Sequence, residues 1–301
     1  MAGLPIVGSV DPPSAPARPA WLRVRAPGAG RPAELRALLA QRRLHTVCGS
    51  ASCPNLAECW SAGTATFMIL GNECTRACRF CDVKTSRTPA AVDLDEPARL
   101  AEAAALLELS HVVITSVTRD DLGDGGARQF ARSIEAVHTR LPRATVEVLV
   151  PDFGGDESLL QLVLDARPDV LAHNLETCER LTPQIRSGAA YRRSLALLAA
   201  ARRRAPTVRT KTGLMLGLGE QDDEVITALQ DARAAQVELV TLGQYLRPSS
   251  WNAAVVRYVP PERFAELGAL AHALGFAHVE SGPLVRSSYH AERALNPASR
   301  P

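Results

Sequence analysis

The chain has 301 residues, 46% of them hydrophobic and 4% aromatic, with a formal net charge of +2 at pH 7. This is enough apolar chain for a barrel-sized core, while the near-neutral charge and scarce aromatics argue against a nucleic-acid footprint or a base-stacking platform. No apolar run reaches the ~20 residues that a membrane-spanning helix needs.

The opening MAGLPIVGSV has no basic stretch followed by a long apolar run, so no secretory signal is expected and a reducing, cytoplasmic setting is predicted. Residues 1–19, rich in Pro, Gly and Ala, read as a disordered tail, and residues 20–63 as an N-terminal extension. Leu35, Leu38 and Leu39 have helical spacing. The stretch TATFMIL then begins a regular alternation. Helices are predicted over Asp95–Leu109, Gln129–Leu141, Glu157–Ala166, a region around Arg192–Ala201, Asp223–Ala234 and Glu262–Leu274. Strands are predicted over His111–Ser116, Ala144–Val150, Val170–His173, Val208–Met215 and Val237–Leu242, with a short segment at Ala277–Glu280. Apolar strands alternating with helices imply parallel β-α units. Six such units are too few to close an eight-unit barrel, so an α/β fold, a partial (β/α)6 TIM-like barrel, is expected over residues 64–281.

In that architecture the chemistry lies at the C-terminal ends of the strands. The polar residues predicted there are Thr115 and Ser116 with Asp120 and Asp121, then Asp152, Asn174 and Glu176, Lys211, and Gln244, beside Cys74 and its neighbours. For Asp120 and Asp152, simple helix capping is the alternative.

Six of the seven cysteines fall in two triads: Cys48, Cys53, Cys59 (C-x4-C-x5-C) and Cys74, Cys78, Cys81 (C-x3-C-x2-C). Disulfides, zinc or iron–sulfur clusters could explain them. Disulfides suit small secreted domains and even cysteine counts. Structural zinc wants four ligands, commonly as close pairs; His45 could complete such a site beside the first triad. Ligands in threes suit iron–sulfur clusters with one differently held iron. The seventh cysteine, Cys178, reads as a small buried hydrophobe.

The string CTRACRFC, with Phe80 before its last cysteine, resembles the signature of radical S-adenosylmethionine (SAM) enzymes. CGSASCPNLAEC followed by GTATFMILG narrows the resemblance to the lipoyl synthase family. VITSVTRDDLGDGGA, HNLET, TKTGLMLGLGE, TLGQYLRPS and GPLVRSSYHA extend it over roughly residues 20–292. The resemblance implies a barrel of the radical SAM type, with N- and C-terminal extensions over its open face and a C-terminal segment at 282–301 carrying RSSY. It implies two [4Fe-4S] clusters. One on Cys74, Cys78 and Cys81 would bind SAM; an auxiliary one on Cys48, Cys53 and Cys59 would take Ser288 as fourth ligand. Ser287 is the second choice, and physics alone reads both serines as a surface turn. The implied activity is a sulfurtransferase that inserts two sulfurs, drawn from the auxiliary cluster, at C6 and C8 of a protein-bound octanoyl-lysine.

Implied partners are octanoylated carrier domains (the glycine cleavage H protein and E2 subunits of 2-oxoacid dehydrogenases), an electron donor such as flavodoxin or ferredoxin, and a cluster-repair protein. Ser116, Asn174 and Glu176 are expected to contact SAM, with a solvated helix start as the alternative for the last two. Gly213, Gly217 and Gly219 lack the lysine and hydroxyl of a phosphate loop and are expected to approach SAM closely. Arg192, Arg193 and Arg202–Arg204 read as a solvated face, with docking of an acidic carrier as the functional alternative. Another radical SAM enzyme with an auxiliary cluster, or a non-enzymatic metal scaffold, are the competing readings.

Overall fold

The computed structural model describes residues 17–23, 37–47, 55 and 66–295. The first cysteine triad lies outside these residues, as does most of the predicted tail.

Strands β1 (His45–Thr46), β2 (Thr66–Ile69), β5 (His111–Ser116), β6 (Thr145–Leu149), β7 (Val170–Ala172), β8 (Arg209–Leu216), β9 (Leu239–Gln244) and β10 (His278–Gly282) form one sheet in that order. A separate pair, β3 (Glu73–Cys74) and β4 (Lys84–Thr85), carries the second cysteine triad between its strands. From β2 to β10 every pairing in the large sheet is parallel, whereas β1 runs antiparallel along the β2 edge. The helices are α1 (Glu96–Leu106), α2 (Ala127–Arg140), α3 (Glu157–Asp165), α4 (Thr182–Ile185), α5 (Tyr191–Arg204), α6 (Asp222–Ala234) and α7 (Pro261–Ala273). The architecture is the expected partial barrel. The sheet is two strands wider than the six predicted, because the short segment at 277–280 is a full parallel strand, β10, and β1 adds an antiparallel edge.

The helices pack on the sheet because their apolar residues recur at helical spacing. On α2, Phe130, Ile134 and Val137 are all fully buried, each contributing about 2 kcal/mol through apolar area removed from water. One core gathers these side chains with Val112, Ile114, Val146 and Val148 of the neighbouring strands. A second joins β8 and β9 to α6 and α7 through Leu216, Leu242, Leu229 and Phe264.

Lys211 is not at the mouth of the sheet, contrary to the sequence expectation. It is the third residue of β8, buried, and its Nζ donates to both carboxylate oxygens of Glu147 on β6 at 2.8 and 3.0 Å. The His111 ring lies 3.7 Å from the same carboxylate. Burial opposes the Glu147 charge, but Lys211 and His111 prevail and hold its carboxyl below the usual range. The pair is buried inside the sheet, Glu147 at the middle of β6 and Lys211 opposite Ala172 of β7.

Candidate active site

The second cysteine triad occupies a loop that β3 and β4 hold at both ends, Cys74 pairing across to Thr85. Main-chain bonds tie this loop to three separate parts of the fold. Thr75 N donates to Thr118 O at 3.0 Å beyond β5, and Arg79 N to Ile185 O at 2.8 Å on α4. Ala253 N donates to Arg79 O at 2.8 Å, while the buried Asn252 donates from Nδ2 to Cys81 O at 2.9 Å. Asn252 is fixed in turn, its Oδ1 accepting from Ser249 N and Oγ. Phe80 packs beside Cys178, Ile185 and Tyr245. Cys178 is therefore core, as expected.

Arg76, inside the triad, forks onto Asp120 with two 2.8 Å contacts and reaches Asp152 at 2.8 Å. Arg193 of α5 holds the other Asp152 oxygen at 2.9 Å. Burial alone would raise the Asp152 carboxyl, but the two guanidiniums override it and hold it well below the usual carboxylate range. Asp120 and Asp152 thus brace the cysteine loop; Asp152 also accepts Gly154 N, so the capping alternative is true of it as well. Asp121 is taken by Arg119.

The thiols have the surroundings of cluster ligands. Cys74 Sγ accepts two main-chain N–H bonds, from Arg76 at 3.4 Å and Thr118 at 3.3 Å, the contacts that stabilise a sulfur carrying negative charge. Burial pushes the Cys78 thiol up to about 11 and the Cys81 thiol up to about 12, with neighbouring thiols and Glu176 adding to the rise. A bound cationic core is what would hold such thiols as thiolates at neutral pH. Among the described residues no three His, Cys, Asp or Glu side chains gather around a single-ion position.

Beside the loop, residues 173–177 line the end of β7. His173 is structural: Nδ1 donates to Val150 O at 2.8 Å, so Nε2 accepts from Ser194 Oγ at 2.8 Å. Ser194 Oγ accepts Arg186 Nη1 at 3.0 Å. Burial, helped by Arg186, lowers the ring to about 4. Asn174 donates from Nδ2 to Glu176 Oε1 at 3.0 Å. Burial raises the Glu176 carboxyl against the opposing pull of Arg186 and Asn174. Glu176 also sits at φ 64, in the left-handed region that costs a residue with a side chain about 1 kcal/mol or more. Its backbone is held there by Glu176 N to Gly213 O and Met215 N to Glu176 O.

Three buried oxygens here have no hydrogen-bond partner among the described residues: Ser116 Oγ, Asn174 Oδ1 and Thr177 Oγ1. Buried polar atoms are rarely left so. Gly213 keeps the space beside Asn174 open, since a Cβ there would stand 3.0 Å from Asn174 Oδ1 and 2.7 Å from Thr241 Oγ1. These residues fit a polar ligand such as SAM next to the cysteine loop. Asn174 and Glu176 are hydrogen-bonded to each other beyond β7, and Ser116 ends β5 in the same sheet; Thr177, Arg186, Arg76 and Asn252 are additions that the sequence reading did not single out. The HNLET string and the triad itself contained signals for the first and third, whereas nothing local marks Asn252.

Other expectations resolve differently. At Gly217 (φ +106) a Cβ would meet Gln244 Nε2 at 2.3 Å and Arg257 O at 2.5 Å, so this glycine is required by the chain's own packing. The Glu220 carboxylate takes the N–H groups of Gly217 and Leu218 at 2.7 and 2.9 Å, where a phosphate loop would hold its anion. Gln244 braces Leu216 O, Arg257 O and Val259 N, and Thr115 donates to Leu149 O. The α5 arginines are neutralised within the chain: Arg192 by Glu179 and Asp231, Arg193 by Asp152, Arg202 by Glu238, Arg203 and Arg204 by Glu157. That is the solvated-face reading, and it removes the argument for docking through them.

Ser287 and Ser288 are the central residues of a turn closed by Tyr289 N to Arg286 O at 2.9 Å. The segment before the turn lies over the end of β9, where Gln244 N donates to Pro283 O at 3.3 Å. Asn55, between Cys53 and Cys59 in sequence, donates from Nδ2 to Leu284 O at 2.7 Å.

Comparison with known proteins agrees with this geometry. Residues 68–232 match the Radical SAM superfamily. Lipoyl synthase of Trichlorobacter lovleyi is 56% identical over 91% of this chain and 97% of its own length. That of Methylococcus capsulatus is 57% identical over 93% and 88%. Among solved structures, HydG, a maturase of the [FeFe]-hydrogenase, aligns with TM-score 0.55 at 13% identity over 75% of this chain and 58% of its own. SuiB of Streptococcus suis, bound to its precursor peptide SuiA, aligns with TM-score 0.54 at 11% identity over 82% and 56%. The two structures share the fold; the two sequence relatives match over nearly the whole of this chain and most of their own length. The chain is an enzyme and belongs to the lipoyl synthase family within the radical SAM superfamily.

Proposed function

We propose that this enzyme inserts two sulfur atoms, at C6 and C8 of an octanoyl chain amide-linked to a lysine of a carrier domain. The observation that carries the reading is the pair of cysteine triads, one seated at the C-terminal ends of the parallel strands and the other in a segment joined through Asn55 to the stretch before Ser288. Cys74, Cys78 and Cys81 would hold one [4Fe-4S] cluster with SAM, and Cys48, Cys53 and Cys59, with Ser288, a second. When bound, the first supplies an electron to SAM and so a hydrogen-abstracting radical, and the second supplies sulfide.

The chain's own residues bind, orient and shield. Arg76 N and Thr118 N stabilise charge on Cys74 Sγ, while Asp120, Asp152 and Asn252 fix the loop that carries all three thiols. Ser116 Oγ, Asn174 Oδ1 and Thr177 Oγ1 offer unspent acceptors to SAM, with Glu176 and Arg186 as paired charges for its amino and carboxylate groups. We divide the chain into a tail at 1–19, an extension at 20–63, the barrel at 64–281 and a C-terminal segment at 282–301. The carriers would be the glycine cleavage H protein and E2 subunits, with flavodoxin or ferredoxin as reductant and a further protein to rebuild the spent cluster. The cytoplasm is the reducing setting that thiolate ligands need.

The test is anaerobic incubation of reconstituted protein with an octanoylated lysyl peptide, SAM and a reductant, followed by mass analysis. Peptide gaining two sulfurs, with 5′-deoxyadenosine formed alongside, is the expected outcome. Protein that assembles zinc alone, or cleaves SAM without adding sulfur, would remove the reading.

A further inference from the structure

We propose that Gly243 and Asn55 are positioning residues that together set where Ser288 stands, a proposal that rests on the reading of Ser288 as a cluster ligand. Gly243 is the next-to-last residue of β9 and pairs with Gly282 at the end of β10. Just beyond, the chain turns back, Val285 N donating to Gly282 O at 3.1 Å. This turn lays the main chain of Val285 directly on Gly243: an ideal Cβ there would stand 2.1 Å from Val285 O and 3.1 Å from its carbonyl carbon.

Those atoms are backbone, so a side chain could not be accommodated by a rotamer change. Gly243 is also outside the left-handed region, unlike Gly217 and Gly219. Its backbone conformation is thus open to any residue, and space alone demands glycine. Val285 itself is buried and its carbonyl accepts Arg286 Nη1 at 2.6 Å, so displacing it disturbs the residue that opens the Ser287–Ser288 turn.

The second fixed point lies one residue earlier. Leu284 O accepts Asn55 Nδ2 at 2.7 Å, and Asn55 is itself buried. Asn55 is two residues from Cys53 and four from Cys59, so one hydrogen bond ties the first triad's segment to the Ser288 segment across 229 positions of sequence. Gly243 sets how closely the segment approaches the sheet, and Asn55 ties it to the sequence stretch between Cys53 and Cys59. The turn holding Ser288 then projects from a chain fixed on two sides.

Gly243→Ala and Asn55→Asp test this. The first adds one methyl group against Val285 O; the second keeps size but replaces the donor facing Leu284 O with a carboxylate oxygen. In each, the lipoyl product should fall about 10- to 100-fold, the cost of an ångström-scale misplacement. Formation of 5′-deoxyadenosine should stay within about twofold, because among the described residues neither residue bonds to the cysteine loop. In iron-free protein, amide hydrogen exchange over 283–289 should quicken. In reconstituted protein, the Mössbauer signal of the first triad's cluster should change in the direction given by Ser288→Ala. If Gly243→Ala fails to fold, Asn55→Asp decides. Wild-type product, exchange and spectrum in a folded variant, with Ser288→Ala defective, would overturn the clamp and leave the serine reading standing. Wild-type product and spectrum from Ser288→Ala itself would instead remove the serine reading, and the clamp with it.

Discussion

His173 donates from Nδ1 to a main-chain carbonyl and accepts at Nε2 from Ser194, an arrangement that suits the neutral ring. Burial lowers its pKa from 6.5 to about 4. Between those values the unfolded chain binds a proton that the folded chain refuses, so stability is complete above about pH 6.5 and falls as pH drops toward 4. The loss is on the order of 3 kcal/mol over that window. Asp152, also lowered, adds a further loss at more acid pH, below its unfolded value of 3.8. Urea unfolding of iron-free protein at pH 7 and pH 4.5 should show the first loss in wild type and a much flatter dependence in His173→Asn, which starts less stable. Equal slopes would show that the acid sensitivity lies elsewhere. The cysteines separate by chemistry. Cys78→Ala should abolish 5′-deoxyadenosine formation, whereas Cys53→Ala should leave it measurable and stop sulfur insertion. Loss of SAM cleavage in both, with the other cluster intact, would contradict the division of labour.

At the scale of elements, the cysteine loop is held less by its own strands than by what the rest of the chain brings to it. Asn252 should therefore matter although it is far from the triad in sequence. Asn252→Ala removes the donor to Cys81 O and the acceptor for Ser249; a buried carbonyl left without its partner costs about 1–3 kcal/mol. Iron uptake on the loop should persist while reductive SAM cleavage falls about tenfold through misplaced thiols. Unchanged cleavage would mean that Ala253 N and the other main-chain ties suffice. The same contrast explains what the sequence made legible. The six apolar runs and their helices could be read from periodicity, because period and burial are local properties. The two-residue strands β1, β3 and β4 could not, since so short a run has no periodicity, and β10 was undervalued because its HVESG is mostly polar. Cys74, Cys78 and Cys81 announced themselves by spacing. Asn252, Arg186 and the tie from Asn55 to Leu284 are pairings of distant residues with no local mark. Lys211 lies inside the sheet rather than at a strand end because the buried Glu147 carboxylate supplies its partner, a pairing with no local mark in the sequence.

For the molecule as a whole, the barrel and the C-terminal segment do different work. The two large cores draw on Leu39 and Leu44, strands β2 to β9, the helices through α7 and Phe276, without residues beyond 282. The C-terminal segment adds Val285 and Ala291, both buried, and Leu295, which packs on Val170 and Leu239. A chain ending at Gly282 should therefore keep its sheet and helices. Losing these contacts should cost about 2–5 kcal/mol, comparable with deleting one or two large core side chains, and lower the melting temperature by roughly 5–15 °C. The cysteine loop and the residues beside it remain, so reductive SAM cleavage should survive. Ser288 and the Leu284 carbonyl that Asn55 grips are gone, so sulfur insertion should not. Far-UV circular dichroism, 5′-deoxyadenosine and lipoyl product measured on the same preparation check all three. A truncated chain that made wild-type amounts of product would show that sulfur insertion needs nothing beyond β10. A chain that lost SAM cleavage while keeping its fold would show that the segment serves the first cluster as well.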